Sequence, residues 1–146
     1  MSIATCIASW PERLVEVGPL LLIHVGFDET YDDNEAVGRP TLQNKSARAI
    51  LDTGGSIDCI DIQLAIDLKL PIVDRSPAQS LLALGQQEAN VHAGHVYVPG
   101  VDFVYFAHFA GVDLRLAHCD VLLGRPFLKH FKLTYDGRFA HVVIEL

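Results

Sequence analysis

Ala47-Arg-Ala-Ile-Leu-Asp-Thr-Gly-Gly-Ser56 is the stretch on which the fold turns. Ala47, Ala49, Ile50 and Leu51 read as a strand that carries Asp52 out of the interior and into a glycine-rich turn. Asp and glycine are ordinary turn residues, and by residue usage an Asp-Thr/Ser-Gly triplet arises by chance in roughly one chain in twenty of this size. The triplet occurs once, at Asp52-Thr53-Gly54. Its weight therefore depends on its surroundings.

Upstream, Pro19 to Phe27 is a compact apolar run of strand length, rich in branched residues. Asp28 to Ser46 then turns polar, with five carboxylates between Asp28 and Glu35, and reads as a solvated acidic loop, 28–46. Downstream, Asp61 is placed to cap a helix over Ile62 to Lys69, because its carboxylate can accept a free backbone N–H. Gln63 and Asp67 form a narrow polar stripe on that helix and apolar residues cover most of the rest, so it is expected to be mostly buried. Leu70-Pro71 ends it.

Leu81 to Phe109 contains strand-like pieces punctuated by Gly85, Gly94 and Pro99-Gly100. Arg125-Pro126 opens a second short helix with Phe127, Leu128 and Phe131 on its buried face. Asp136-Gly137 predicts a two-residue hairpin between Lys132–Tyr135 and Arg138–Glu145. Trp10 and Pro11 are expected to anchor the N-terminal segment. With no internal repeat and no linker, residues 1–146 read as one mostly β domain with two short helices.

Half of the 146 residues are apolar, enough for one sizeable core. The formal net charge of −7, with 11 Lys+Arg against 18 Asp+Glu and no basic stripe, speaks against a general nucleic-acid binder. The longest uncharged stretch, Ala89 to Val101, is too short for a membrane-spanning helix. No cationic region precedes Ile3 to Ala8, so no secretory signal is expected. Cys6, Cys59 and Cys119 are odd in number and widely spaced, which suits free thiols in a reducing cytoplasm.

Metal and cofactor chemistry find no pattern. His92 and His95, three apart, would fall on opposite faces of a strand and are expected to be solvent-facing or capped. No Cys-x-x-Cys or His-Glu-x-x-His spacing occurs, and Gly85-Gln86-Gln87 lacks the Lys of a phosphate loop. Cys59 has no histidine partner visible in the sequence, so an idle buried thiol is expected there.

The second informative segment is Asp120-Val-Leu-Leu-Gly-Arg-Pro-Phe-Leu128, an apolar pair followed by glycine and a helix. With both segments in place, and Ala65, Leu68, Leu70 and Pro71 between them, the chain resembles the retropepsin-like aspartic peptidases, including cellular and bacterial members. The resemblance runs in order from about Pro19 to Ile144. It implies a closed β-barrel of the acid-protease fold, one lobe of a two-fold homodimer, hydrolysing peptide bonds with no cofactor.

In that family one Asp comes from each subunit, so Asp52 would meet its symmetry mate. Two carboxylates that close share one proton, and the pair activates a water against the peptide carbonyl. The resemblance gives Thr53 the role of bracing the two loops against each other. Gly54 and Gly55 let backbone approach carboxylate and substrate. Leu122 and Leu123 pack under the loop, and Gly124 lets a strand pass closely. Gly55 and Ser56 would line the substrate, and Leu84-Gly85-Gln86 would tip a hairpin flap within Leu81 to His92.

The chain departs from the family at Gly55, where Ala or Ser is more usual, and in having one flap glycine. Ser56 stands where viral members often carry an Asp that pairs with the Arg of the glycine-arginine motif, leaving Asp58 as candidate partner of Arg125. By resemblance Ile3 to Ala8 and His141 to Leu146 would interleave between subunits, placing segment 1–18 at the interface. The alternative is a retropepsin-like dimerisation or peptide-binding module with little or no turnover.

Overall fold

A computed structural model of the chain describes residues 2–7, 10–35, 38–78 and 87–146. Its elements are β1 (Ile3–Thr5), α1 (Pro11–Val17), β2 (Leu20–Gly26), β3 (Asn44–Leu51), β4 (Asp58–Asp61), α2 (Ile62–Asp67) and β5 (Ile72–Ala78). They continue with β6 (Gln87–Val98), β7 (Phe103–Val112), β8 (Val121–Leu123), α3 (Arg125–Leu128), β9 (Lys132–Asp136) and β10 (His141–Glu145). A 3-10 turn at Arg115–Ala117 precedes β8.

The large sheet runs β2-β3-β8-β4-β7-β6-β5, and a further β2–β6 pairing closes it. The fold is therefore mostly β: a closed six-stranded barrel with β5 hanging on β6 and a few short helices. Closure abolishes the edges of the six barrel strands. Alternation fills the interior: Ala47, Ala49 and Leu51 of β3 are buried, as are Ile23 and Val25 of β2. Phe109, Ile60, Val96, Val121, Leu123 and Phe127 join them without residual exposure. Burying such side chains stabilises the fold by about 1.5–3 kcal/mol each.

A second sheet, β1-β10-β9, gathers the two termini of the same chain. Ile3 pairs with Glu145 and Thr5 with Val143, while β10 pairs on its other side with β9. β10 thus has both edges occupied within one chain, and Val142 and Ile144 are wholly buried. Interleaving of termini between subunits would have to displace β1.

Several local expectations are corrected. The segment after Trp10 forms α1, with proline at its start as helix geometry allows. Leu14 is the buried anchor, whereas Trp10 is 53% exposed. Asp61 caps α2 as expected, accepting the Leu64 N–H at 3.4 Å, but the helix is only partly buried. Two turns lying on β4 and β7 bury Ala65 fully, and Ile62 and Ile66 remain exposed. The helix stops before Pro71, because Lys69 takes a left-handed φ of 54° and Leu70 N–H donates to Ala65 O at 3.1 Å.

Gly94 does not interrupt β6. It sits mid-strand because a Cβ there would press on Phe109 at 3.1 Å and Gly26 O at 3.3 Å. The β9–β10 hairpin closes through four residues, Gly137 to Ala140, because Asp136 pairs with His141. The Asp136 carboxylate accepts the Arg138 N–H inside that loop.

The acidic loop is mostly solvated, with Glu29, Asp32, Asp33 and Glu35 exposed. Asp28 is the exception. Its carboxylate accepts the Thr30 N–H and O–H and the Thr41 N–H, which closes the base of the loop. His92 and His95 are buried rather than solvent-facing. His95 stacks on Phe27 and its Nδ1 accepts the Asp28 N–H at 3.2 Å, so the neutral ring carries its proton on Nε2. Burial holds its pKa below the ordinary value, against the opposing pull of Asp33 and Asp28.

Candidate active site

β8 is the element that assembles the site. It enters between β3 and β4, parallel to the first and antiparallel to the second: Leu51 pairs with Leu123, Cys59 with Leu122. At the end of β3 the Asp52 N–H donates to Leu123 O at 2.8 Å. The apolar strand thus delivers Asp52 to the rim of the barrel, where it is partly exposed.

The turn folds back on its own carboxylate. Asp52 Oδ1 accepts the Gly54 N–H at 3.0 Å, and Asp52 O accepts the Gly55 N–H at 3.1 Å. A Cβ at Gly55 would fall 2.9 Å from Asp52 Oδ2, whereas one at Gly54 would find an ordinary 3.4 Å contact with Oδ1. Close approach therefore requires glycine at 55 more than at 54. Thr53, Gly54 and Ser56 lie exposed on the same rim.

Leu123 is wholly buried in the main core, and Leu122 packs with Cys59, Ala89 and Ala110 in a smaller cluster. Gly124 meets the loop most tightly, since a Cβ there would lie 2.5 Å from Ile57 O and 2.8 Å from Gly55 O. Next in the chain, Arg125 N–H donates to Gly55 O at 2.8 Å and its guanidinium Nη1 to Thr53 O at 3.1 Å. The chain brings Asp52, Thr53, Gly54, Gly55, Leu122, Leu123, Gly124 and Arg125 together.

Asp58 does not pair with Arg125. Its carboxylate, 2% exposed, accepts the Gly124 N–H at 2.8 Å and the Tyr105 O–H at 2.6 Å. Arg125 is satisfied by a backbone carbonyl instead, because the carboxylate is turned inward under the glycine. Burial pushes the Asp58 pKa up, and the two donors oppose that rise. Tyr105 is raised too, first by burial and then by Asp58. The sequence signal for this arrangement was an Asp among Ile57, Cys59 and Ile60; its partners lie 47 and 66 residues away.

β5 and β6 pair as a hairpin out to Ala78 and Gln87, with the first arm at Ile72–Ala78, upstream of the expected Leu81 to His92. Leu84, Gly85 and Gln86 lie outside the described residues. A cavity of about 620 Å³ lies elsewhere, between Phe103–Phe106 of β7 and Pro126, Lys129 and His130. Among the described residues no three or more His, Cys, Asp or Glu cluster as metal ligands, and no helix is long and apolar enough to cross a membrane. All three cysteines are buried and unpaired.

No family model and no curated protein matches the chain. Among solved structures it is similar to the crystal structure of a retropepsin-like aspartic protease from Rickettsia conorii. The two are 20% identical over 69% of this chain and 74% of that one, with a TM-score of 0.47. At that similarity the functional reading must rest on the site itself.

Proposed function

We propose that this chain is an aspartic endopeptidase acting as a homodimer, in which two Asp52 carboxylates hydrolyse peptide bonds. The observation that carries the reading is the presentation of Asp52. Asp52 ends a core strand with its carboxylate partly exposed and oriented by the Gly54 N–H, while its backbone N–H rests on the Leu123 carbonyl of β8.

Across a two-fold axis, two such carboxylates would be too close to ionise together and would hold one proton between them. The ionised member accepts a proton from a water as that water attacks the peptide carbonyl, and the protonated member donates to the carbonyl oxygen. Collapse of the tetrahedral intermediate returns the proton to the leaving amine, with no covalent intermediate on the protein. Thr53 would brace the paired loops, Gly55 and Ser56 would border the extended substrate, and residues 84–86 would cover it. Three unpaired buried thiols favour a reducing compartment, hence a cytoplasmic setting.

The test uses a diverse peptide library from mildly acidic to neutral pH, with sedimentation of the same samples. Cleavage by the native dimer, abolished in Asp52→Asn with dimerisation retained, is the expected result. A native dimer that cleaves nothing leaves the peptide-binding or dimerisation module as the reading. A strict monomer at micromolar concentration overturns the peptidase, since it holds one Asp52.

A further inference from the structure

We propose that Asp58 is a positioning residue for the Asp52 loop: its buried carboxylate fixes the Gly124 amide, and the Gly124-Arg125 turn transmits that position to residues 52–55. The inference rests on the peptidase reading for its kinetic consequence, but not for its structural one. Asp58 is the one buried carboxylate among the residues whose side chains are described. Both its oxygens serve as acceptors, toward Gly124 N–H at 2.8 Å and Tyr105 O–H at 2.6 Å. The second is in the range of a short, charge-assisted bond.

Burying a carboxylate is costly unless it is paired and hydrogen-bonded, and here both oxygens accept a bond. What the two bonds provide is one fixed point beneath the loop. Asp58 follows directly on the 52–57 loop, and its bond to Gly124 ties that loop's end to the strand that supports its start. Leu123 O receives the Asp52 N–H, Gly55 O receives the Arg125 N–H, and Thr53 O receives the Arg125 guanidinium. Gly124 stands between these bonds, with the loop carbonyls of Gly55 and Ile57 on one side and Asp58 on the other. Tyr105, itself edge-on to Phe127 of α3 at 5.3 Å, completes the support from β7.

A residue acting this way governs how accurately Asp52 is held, not how tightly a peptide binds. Asp58→Ala removes both acceptors. Asp58→Asn keeps an oxygen for Gly124 and turns an amide N–H toward the Tyr105 oxygen. In the native-length dimer, Asp58→Ala should lower kcat at least about ten-fold with KM nearly unchanged, and Asp58→Asn should recover most of it.

A control destabilised elsewhere, Val142→Ala in the terminal sheet, sets what stability loss alone does at a temperature where all variants stay folded. Equal kcat losses in Asp58→Ala and that control would overturn the proposal. Should Asp58→Ala fail to fold, Tyr105→Phe, which removes one donor, takes its place with a smaller expected loss.

Amide hydrogen exchange separates failure of this inference from failure of the peptidase reading, because it needs no turnover. Exchange at Asp52, Gly124 and Arg125 should quicken about ten-fold or more in Asp58→Ala, or less in Tyr105→Phe, while Ile144 keeps its rate. Unchanged exchange at all three overturns the proposal whether or not the native protein cleaves peptides.

Discussion

Replacing Gly124 by alanine tests how closely β8 is fitted beneath the Asp52 loop. The backbone there is extended, with φ −87° and ψ −163°, so alanine meets no conformational penalty. Reduced freedom of the unfolded chain would even favour it by about 0.5–1 kcal/mol. The obstacle is steric. The added Cβ falls 2.5 Å from Ile57 O and 2.8 Å from Gly55 O, both backbone atoms that no rotamer change can remove.

An ordinary contact needs about 3.5 Å, so one wall must move by roughly 1 Å against the Arg125–Gly55 and Asp58–Gly124 bonds. Overpacking of this kind costs about 1–3 kcal/mol, and two backbone walls put it near the upper end. The net loss is then about 2 kcal/mol. With an unfolding entropy of about 2.1 cal/mol/K per residue over 146 residues, that lowers Tm by about 7 °C. The assay is thermal or urea unfolding at fixed protomer concentration. Gly54→Ala is the internal control, since its Cβ finds a 3.4 Å contact and should shift Tm by less than about 2 °C. A Gly124→Ala protein melting within about 2 °C of native would refute the reasoning.

Deleting residues 142–146 should abolish cooperative unfolding rather than yield a folded monomer, because β10 is the central strand of its sheet and Val142 and Ile144 are wholly buried. A truncated chain that melts cooperatively and sediments as a monomer would contradict this. The thiols should resist alkylation in the native protein at pH 8 and all react in denaturant. Burial pushes Cys6 up to about 12 and Cys59 and Cys119 up to about 11, and rapid native labelling would speak against their placement.

The base of the acidic loop should loosen on acidification in two steps. His95 is held below its ordinary 6.5, so its contribution is present above 6.5 and lost as pH falls through the lower folded value. Asp28 is held below 3.8 mainly by the Thr41 and Thr30 hydrogen bonds, so its contribution is present above 3.8 and lost on further acidification. Amide exchange, corrected for intrinsic rates, should quicken at Asp28 across the first step and at Thr30 and Thr41 across the second. Protection that stays flat from pH 7 to 3 would refute the coupling.

Features governed by neighbouring residues were open to sequence reasoning. An apolar run ending in Asp-Thr-Gly-Gly is a strand leading into a tight turn by local chemistry, and Leu122-Leu-Gly-Arg125 before a helix supplied a matching floor. The Asp61 cap of α2 and the existence of the β9–β10 hairpin, though not its four-residue loop, followed from the same kind of argument. Where it failed, partners distant in the chain decided. Gly94 stays in its strand because of Phe109 and Gly26. His95 is buried because Asp28 and Phe27 fold over it.

Asp58 shows the division most sharply. By itself the sequence determined that a carboxylate sits six residues beyond Asp52 in an apolar strand, and the family resemblance suggested Arg125 as its partner. Only the tertiary structure decided that it turns inward. β8 enters between β3 and β4 and brings the Gly124 amide within 2.8 Å, while β7 brings the Tyr105 hydroxyl within 2.6 Å. A buried acceptor must find donors, but which donors arrive is set by strand order and register, and these are properties of the closed barrel.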